Sequence, residues 1–291
     1  MKIGVLGSAG SIGSRHAANL SALGHDVIHF DPAGRMDMSF EREVYDICDA
    51  VVIATPSAFH SGGIRAAAER GKHIFVEKPI ATGSPEVITD LLALAKKNGA
   101  QVMVGCMLRF HQSVIDAKRW LGATAIGKPL WANFTCAQKN NRPAYRRDGV
   151  ILNWGAHELD LALHLLGPAT LASAASTDGD EIADLFLVHD DMTRTTVHLD
   201  YVTAPSFRTF VIAGEHGLIA VDLERRSSDL VVGTNRMSAS GFASWDDDYM
   251  AEMRAFVDRC EGKETRGATG EDGLAVLRLC LDARKMAGLP T

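Results

Sequence analysis

The sequence predicts an α/β protein in two parts, a doubly wound sheet followed by an α/β domain on an open, mostly antiparallel sheet. Three observations predict it. A strand, a glycine turn, a helix, a second strand and an acid follow in order between Lys2 and Asp31. Strands then alternate with helical stretches to about residue 104, the pattern of a doubly wound sheet. Beyond residue 121 strand-like stretches succeed one another with one helix between them, as in an antiparallel or mixed sheet. The expected domains are residues 1–120 and 121–291.

Ile3, Val5 and Leu6 make the first apolar strand, which runs into Gly7-Ser8-Ala9-Gly10-Ser11-Ile12-Gly13 and a helical pattern ending near Leu23. A second strand covers 26–30. After a small helical piece at 41–48, residues 51–54 form a continuous apolar strand, of the kind buried on both faces in a parallel sheet. It ends in Thr55-Pro56-Ser57. A helix is expected over 63–70, a strand over 73–76 leading into Glu77-Lys78-Pro79, and a helix over 85–98 stopped by Gly99. A strand at 101–104 and a helix at 111–121 follow. The second part reads as strands at 130–137, 182–189, 193–201, 207–213 and 218–223. One helix, 152–166, interrupts them before Gly167-Pro168, and two more, 247–260 and 270–287, finish the chain. Thr269 with Asp272 three residues on forms a candidate capping box for the last helix.

Composition bounds the function. With 46% hydrophobic and 23% charged residues, 291 residues suffice for two cores. A net charge of −6 and the lack of a long basic run argue against nucleic acid as a partner. No uncharged apolar run approaches the ~18 residues of a membrane span, and the chain opens on a strand rather than a signal peptide. Five scattered cysteines without a Cys-x-x-Cys pair fit a reduced, cytoplasmic protein.

The glycine turn carries the first chemistry. Glycines let the backbone approach a pyrophosphate, and the free N–H groups of the following helix face it. Asp31 ends the second strand near the ~20-residue distance at which an acid accepts hydrogen bonds from a ribose. Gly7, Gly10, Ser11, Ile12, Gly13 and Asp31 are therefore candidate cofactor contacts, and the first domain reads as dinucleotide-binding. The spacing is Gly-x-x-Gly-x-x-Gly, and glycine also serves tight turns for purely steric reasons. Asp31 would repel a 2′-phosphate, so NAD is expected over NADP; Arg35 is near enough in sequence to neutralise such a phosphate.

Thr55-Pro56, Glu77-Lys78-Pro79 and Gly105 follow sheet strands, at the edge where open α/β sheets bind ligands. Lys78 faces a ligand there or is a solvated loop lysine; periodicity does not choose. In the second part Asn153, His157 and Asp160 are spaced four and three apart, near one helix face. Asp160 is spaced to orient the imidazole or raise its pKa; the alternative is a packed histidine and a capping Asn153. His157-Glu158 begins like a zinc helix, but Leu161 stands where the second histidine belongs, and no metal is expected. Lys139, Arg142, Arg146 and Arg147 crowd a loop with Tyr145, which either clasps an anionic substrate group or is simply solvated. Arg109, after the last strand of the first sheet, is a candidate ligand contact. Trp154 lines the site or packs beneath the helix.

Together these residues resemble the Gfo/Idh/MocA oxidoreductase family. The resemblance rests on Gly7 to Gly13, Ala54-Thr55-Pro56, His60, Gly71-Lys72-His73 and Glu77-Lys78-Pro79. Arg109-Phe110-His111, Gly127-Lys128-Pro129 and Asn153-Trp154-Gly155-Ala156-His157-Glu158-Leu159-Asp160 extend it over nearly the whole chain. It implies NAD(P) and hydride transfer at a secondary alcohol or ketone of a sugar, cyclitol or sugar nucleotide. It adds Thr55, Pro56, His60, Glu77 and Lys78 to the cofactor contacts. Lys78 and His157 become catalytic residues, with Asn153 where many members carry an aspartate. Arg109, Tyr145, Trp154 and Asp160 remain candidate substrate contacts on their own spacing and surroundings, and the resemblance makes the second sheet the interface of a homodimer or homotetramer. Within the same family lie two other expectations, an NAD-dependent glycoside hydrolase and an NAD-binding sensor without turnover.

Overall fold

The computed structural model describes residues 1–34, 36–139, 143–241 and 243–290, with the backbone alone for 143–147. In chain order the first elements are β1 (Lys2–Leu6), α1 (Ser11–Ala22), β2 (Asp26–Phe30), α2 (Glu41–Ile47), β3 (Ala50–Ile53), α3 (His60–Glu69), β4 (His73–Glu77), α4 (Pro85–Lys97) and β5 (Val102–Gly105). Next come α5 (Gln112–Gly122), β6 (Pro129–Ala137), α6 (Pro143–Asn153), α7 (Gly155–Leu166), β7 (Ala169–Ser176), β8 (Ile182–His189) and β9 (Arg194–Asp200). The remainder is β10 (Phe207–Gly214), β11 (Gly217–Asp222), β12 (Ser227–Val232), β13 (Asn235–Ser240), α8 (Trp245–Cys260), β14 (Ala268–Thr269) and α9 (Gly270–Met286).

Two compact units result, and neither is one continuous stretch. Met1–Phe110 joins Ser244–Leu277, and His111–Ala243 joins Arg278–Thr291. A single cut at residue 120 misses this, because β14 pairs antiparallel with β5 and completes the first sheet from the far end of the chain. That sheet has the order β14-β5-β4-β3-β1-β2, parallel apart from β14. Val5, Val52, Phe75 and Met103 are fully buried in its core, with Leu20 of α1 and Phe256 of α8. The strand ends are flush: Leu6 pairs with Phe30 and Ile53, Ile53 with Val76, and Glu77 with Gly105. Hence the turns after β1, β2, β3 and β4 open on one edge.

The second unit holds an eight-stranded sheet of order β13-β12-β11-β10-β6-β9-β8-β7, in which β6 and β9 are parallel and the other pairs antiparallel. Phe134 stacks on Phe210 at 5.1 Å on the inner face, and Leu199 on that face lies against Gly155 of α7. Val197, Leu199 and Tyr201, which alternate along β9 and just past its end, are buried inside the unit. The open face carries Trp131, Phe186 and Val211 among polar pairs such as Asn133–Thr196, 2.8 Å.

Several elements depart from the sequence reading. The helix expected over 152–166 is two helices, α6 and α7. Gly149 interrupts α6 with φ +74, and a Cβ there would fall 1.9 Å from Asp180 Oδ2, so the chain turns tightly against that carboxylate. Strands β7, β12, β13 and β14 were not expected. β13 is nearly all exposed and polar, and β14 is two residues long, so neither shows an apolar period. The capping box of α9 is present: Thr269 N–H donates to Asp272 Oδ2 at 2.9 Å, and Asp272 N–H to Thr269 Oγ1 at 3.0 Å. Among the described residues, no helix is long and apolar enough to cross a membrane.

An ion pair locks α7 to the sheet. Glu158, 1% exposed, accepts from Arg208 Nε of β10 at 2.7 Å. Burial pushes the Glu158 carboxyl above the ordinary glutamate value, and the guanidinium opposes that. Arg208→Met should therefore strand a buried carboxylate and cost about 3–5 kcal/mol in urea denaturation. The double variant with Glu158→Gln should recover most of that loss; equal stability of the Arg208→Met variant and the native chain would refute the lock.

Candidate functional site

At the open edge of the first sheet, the glycine turn is tight in two places. Gly7 has φ +80, and a Cβ would lie 2.5 Å from the Ala54 carbonyl; one on Gly13 would lie 2.1 Å from the Gly7 carbonyl. Side chains there would push α1 off the turn. Gly10 caps α1 without a side-chain hydrogen bond, so no side chain screens the first N–H groups of Ser11 and Ile12. Asp31 is bound into the same turn: its carboxylate accepts from Ala9 N–H at 3.0 Å and Ala33 N–H at 2.8 Å. Both oxygens keep lone pairs for a ribose diol. Arg35 lies outside the described residues.

Two hydroxyl oxygens at this edge, Ser8 Oγ and Thr55 Oγ1, are buried without a hydrogen-bond partner among the described residues. Buried polar atoms are seldom left unpaired. Such hydroxyls, the uncapped helix end and the glycine cradle fit a dinucleotide. Ser8 was not singled out from the sequence, since a serine inside a glycine turn carries no pattern of its own. Pro56 is exposed beside Thr55.

His60 takes a different part from the cofactor contact expected of it. Its ring is 1% exposed, with Nδ1 2.9 Å from the Pro79 carbonyl and Nε2 2.8 Å from the Thr55 carbonyl. Glu77 likewise points into the protein: His16 Nε2 lies 2.6 Å from its Oε1, and Lys78 N–H donates to its Oε2 at 3.2 Å. Glu252 of α8 completes a cluster in which one ligating atom from each of His16, Glu77 and Glu252 lies within 4.8 Å of the others. Lys78 is half-buried. Arg109 is 6% exposed, with Nη1 3.1 Å from Asp272 Oδ2. Burial works to raise the Asp272 carboxyl, but Arg109 and the bonds from Thr269 hold it below the ordinary aspartate value. A substrate contact by Arg109 therefore competes with a built ion pair.

In the second unit α7 carries His157, half-buried, with Asp160 buried one turn on. Asn153 ends α6, and its amide donates to the Tyr201 hydroxyl at 2.8 Å. Tyr201 in turn donates to the Gly149 carbonyl at 3.3 Å and meets Trp154 edge-on at 4.5 Å. Trp154, 8% exposed, thus packs beneath the helix, and Asn153 braces the α6–α7 junction. Both tasks depend on Tyr201, 48 residues away from Asn153, so helical spacing does not reveal them. The side chains of Tyr145, Arg146 and Arg147, and all of Arg142, lie outside the described residues.

Comparison with known proteins identifies the family. Residues 36–106 match the oxidoreductase family with an NAD-binding Rossmann fold, and residues 114–220 match the Gfo/Idh/MocA C-terminal domain. The inositol 2-dehydrogenase 2 of Saccharopolyspora erythraea is 29% identical over 269 residues, which cover 87% of this chain and 77% of that protein. A levoglucosan dehydrogenase solved with NADH and levoglucosan superposes with a TM-score of 0.89 at 19% identity, over 99% of this chain and 97% of that one. A UDP-N-acetylglucosamine 3-dehydrogenase from Acidithiobacillus ferrooxidans gives 0.86 at 21% identity, over 98% and 97%. With both halves matched by its domains, the chain belongs to the Gfo/Idh/MocA oxidoreductase family.

Proposed function

We propose that the protein is an NAD-dependent dehydrogenase that oxidises a secondary alcohol of a cyclitol or sugar, or reduces the corresponding ketone. The observation that carries this reading is the glycine turn bound to Asp31, with the buried hydroxyls of Ser8 and Thr55 beside it. The inositol, levoglucosan and UDP-sugar dehydrogenases named above support the substrate class. When bound, the dinucleotide supplies the hydride acceptor. The glycine turn holds its pyrophosphate and Asp31 its ribose. The Lys78 ammonium is the group proposed to stabilise negative charge developing on the substrate oxygen, and the His157 imidazole the group proposed to accept the hydroxyl proton. Screening cyclitols, sugars and UDP-sugars with NAD+ at the nicotinamide absorbance tests the reading. Release of a sugar without net NADH would favour the hydrolase instead.

Asp31 sets the cofactor preference. NAD+ should bind more tightly than NADP+ in a fluorescence titration, and Asp31→Ala should weaken NAD+ more than NADP+. Equal or tighter binding of NADP+ by the native chain would overturn the preference.

Lys78→Ala should lower kcat strongly while NAD+ still binds, and His157→Gln should lower it about 10²–10⁴-fold. Asn153→Asp should not help: a carboxylate only accepts, and it would disturb the donor bond to Tyr201. That variant should lose stability and gain no turnover in a pH–rate series. Near-native turnover by both Lys78→Ala and His157→Gln would remove these catalytic assignments.

We further propose that the open face of the second sheet is an interface between copies of this chain. Trp131 there is 48% exposed, with Phe186 and Val211 half-buried nearby. Exposed aromatic and aliphatic side chains on a sheet face without covering helices favour a partner there. Light scattering should show a dimer or tetramer at micromolar concentration, and Trp131→Glu should shift it toward monomer. A native monomer would exclude the interface.

A further inference from the structure

Lys78 lies between two histidines that the sheet edge buries almost completely. We propose that His16 and His60 are positioning residues that clamp the Glu77-Lys78-Pro79 turn from its two sides and so fix the Lys78 ammonium for the reaction. This rests on the catalytic role of Lys78 proposed above.

On one side His16, fully buried in α1, presents Nε2 to Glu77 Oε1 at 2.6 Å. The ring is itself held, with Phe75 edge-on at 5.0 Å and Tyr249 at 6.0 Å. The other Glu77 oxygen accepts the Lys78 N–H at 3.2 Å, so the hold on Glu77 passes to the backbone of the lysine itself. Gly105, the register partner of Glu77, leaves room for the carboxylate. A Cβ there would lie 3.0 Å from Oε2 and 3.1 Å from Oε1.

The opposite side is held by His60. Its Nδ1 lies 2.9 Å from the carbonyl of Pro79, the residue after Lys78, and its Nε2 2.8 Å from that of Thr55. One ring thus ties the turn after β4 to the turn after β3. Carbonyl oxygens only accept, so a neutral ring donates to one of the two at a time and an imidazolium to both. Neither contact involves ordinary core packing, which any apolar side chain would supply. Both histidines instead put directional bonds on residues 77 and 79, and the residue between them is the lysine.

The two contacts make opposite demands on conservative substitutions. Glutamine places its amide nitrogen near the Nε2 position and asparagine near Nδ1. His16→Gln should therefore keep the bond to Glu77 and His16→Leu lose it. His60→Asn should keep the bond to Pro79, whereas His60→Gln should keep only the bond to Thr55. In the full-length protein, amide hydrogen exchange at Lys78 should quicken in His16→Leu and His60→Gln and stay near native in His16→Gln and His60→Asn. Titrated NAD+ affinity should hold within about threefold in all four, while kcat for scyllo-inositol with NAD+ falls about tenfold or more in the first two, as a misplaced catalytic group requires. Unchanged exchange in His16→Leu and His60→Gln would overturn the clamp. So would equal losses in all four variants with lowered Tm, which would leave both histidines only a general structural part. Should Lys78→Ala turn over normally, or scyllo-inositol not be oxidised at all, the function proposed above is what suffers; the exchange data still decide the clamp.

Discussion

The parallel register of the first sheet is the constraint from which the rest of that unit follows. Leu6 stands beside both Phe30 and Ile53, and Glu77 beside Gly105, so the strands end at nearly one level. Buried on both faces by apolar side chains, the strands cannot slip by one residue without turning charged and polar groups into the core. The consequence is chemical. Gly7, Asp31, Thr55 and Lys78, far apart in sequence, emerge on one edge because each follows a strand held in that register. Hydrogen bonds between turns then finish the arrangement: Asp31 to Ala9, and His60 to both Thr55 and Pro79.

The second unit solves a different problem, how to seat a helix carrying a candidate proton acceptor on a sheet. The inner face of the sheet supplies apolar cover, with Leu199 against Gly155. A buried ion pair between Glu158 and Arg208 then fixes α7, because an unpaired charge in that setting is too costly to tolerate a slide. His157 is the neighbour of that glutamate, half-buried on the same helix. Asn153, Tyr201 and the tight turn at Gly149 brace the segment that leads into the helix. Residues that look like one catalytic face in sequence therefore divide into a half-buried histidine and a set of braces around it.

In the first unit His16, Glu252 and His60 are buried and Glu77 half-buried beside the turn that carries Lys78. Placing imidazoles and carboxylates there costs desolvation unless they bond to one another or to the backbone. A lone lysine after an apolar strand would need none of this. The catalytic role proposed for Lys78 would give such a framework a use.

From the sequence alone came the order of strands and helices in the first unit, the glycine turn with its acid, the family resemblance, and the capping box of α9. These are local: apolar periods, turn chemistry and short spacings are written in consecutive residues. Tertiary structure decided what depends on distant partners. It moved residues 244–277 into the first unit through the two-residue strand β14, and it divided the expected helix over 152–166 at Trp154, between α6 and α7. It turned Val197, Leu199 and Tyr201 inward and left Trp131 outward, because the sheet face is chosen by where α7 lies. It also gave His60, Arg109, Trp154 and Asn153 partners that compete with or replace the contacts their motifs suggest. Spacing along a helix or strand shows which side chains share a face; which bond each one makes is settled only when the chain brings a second group within about 3 Å.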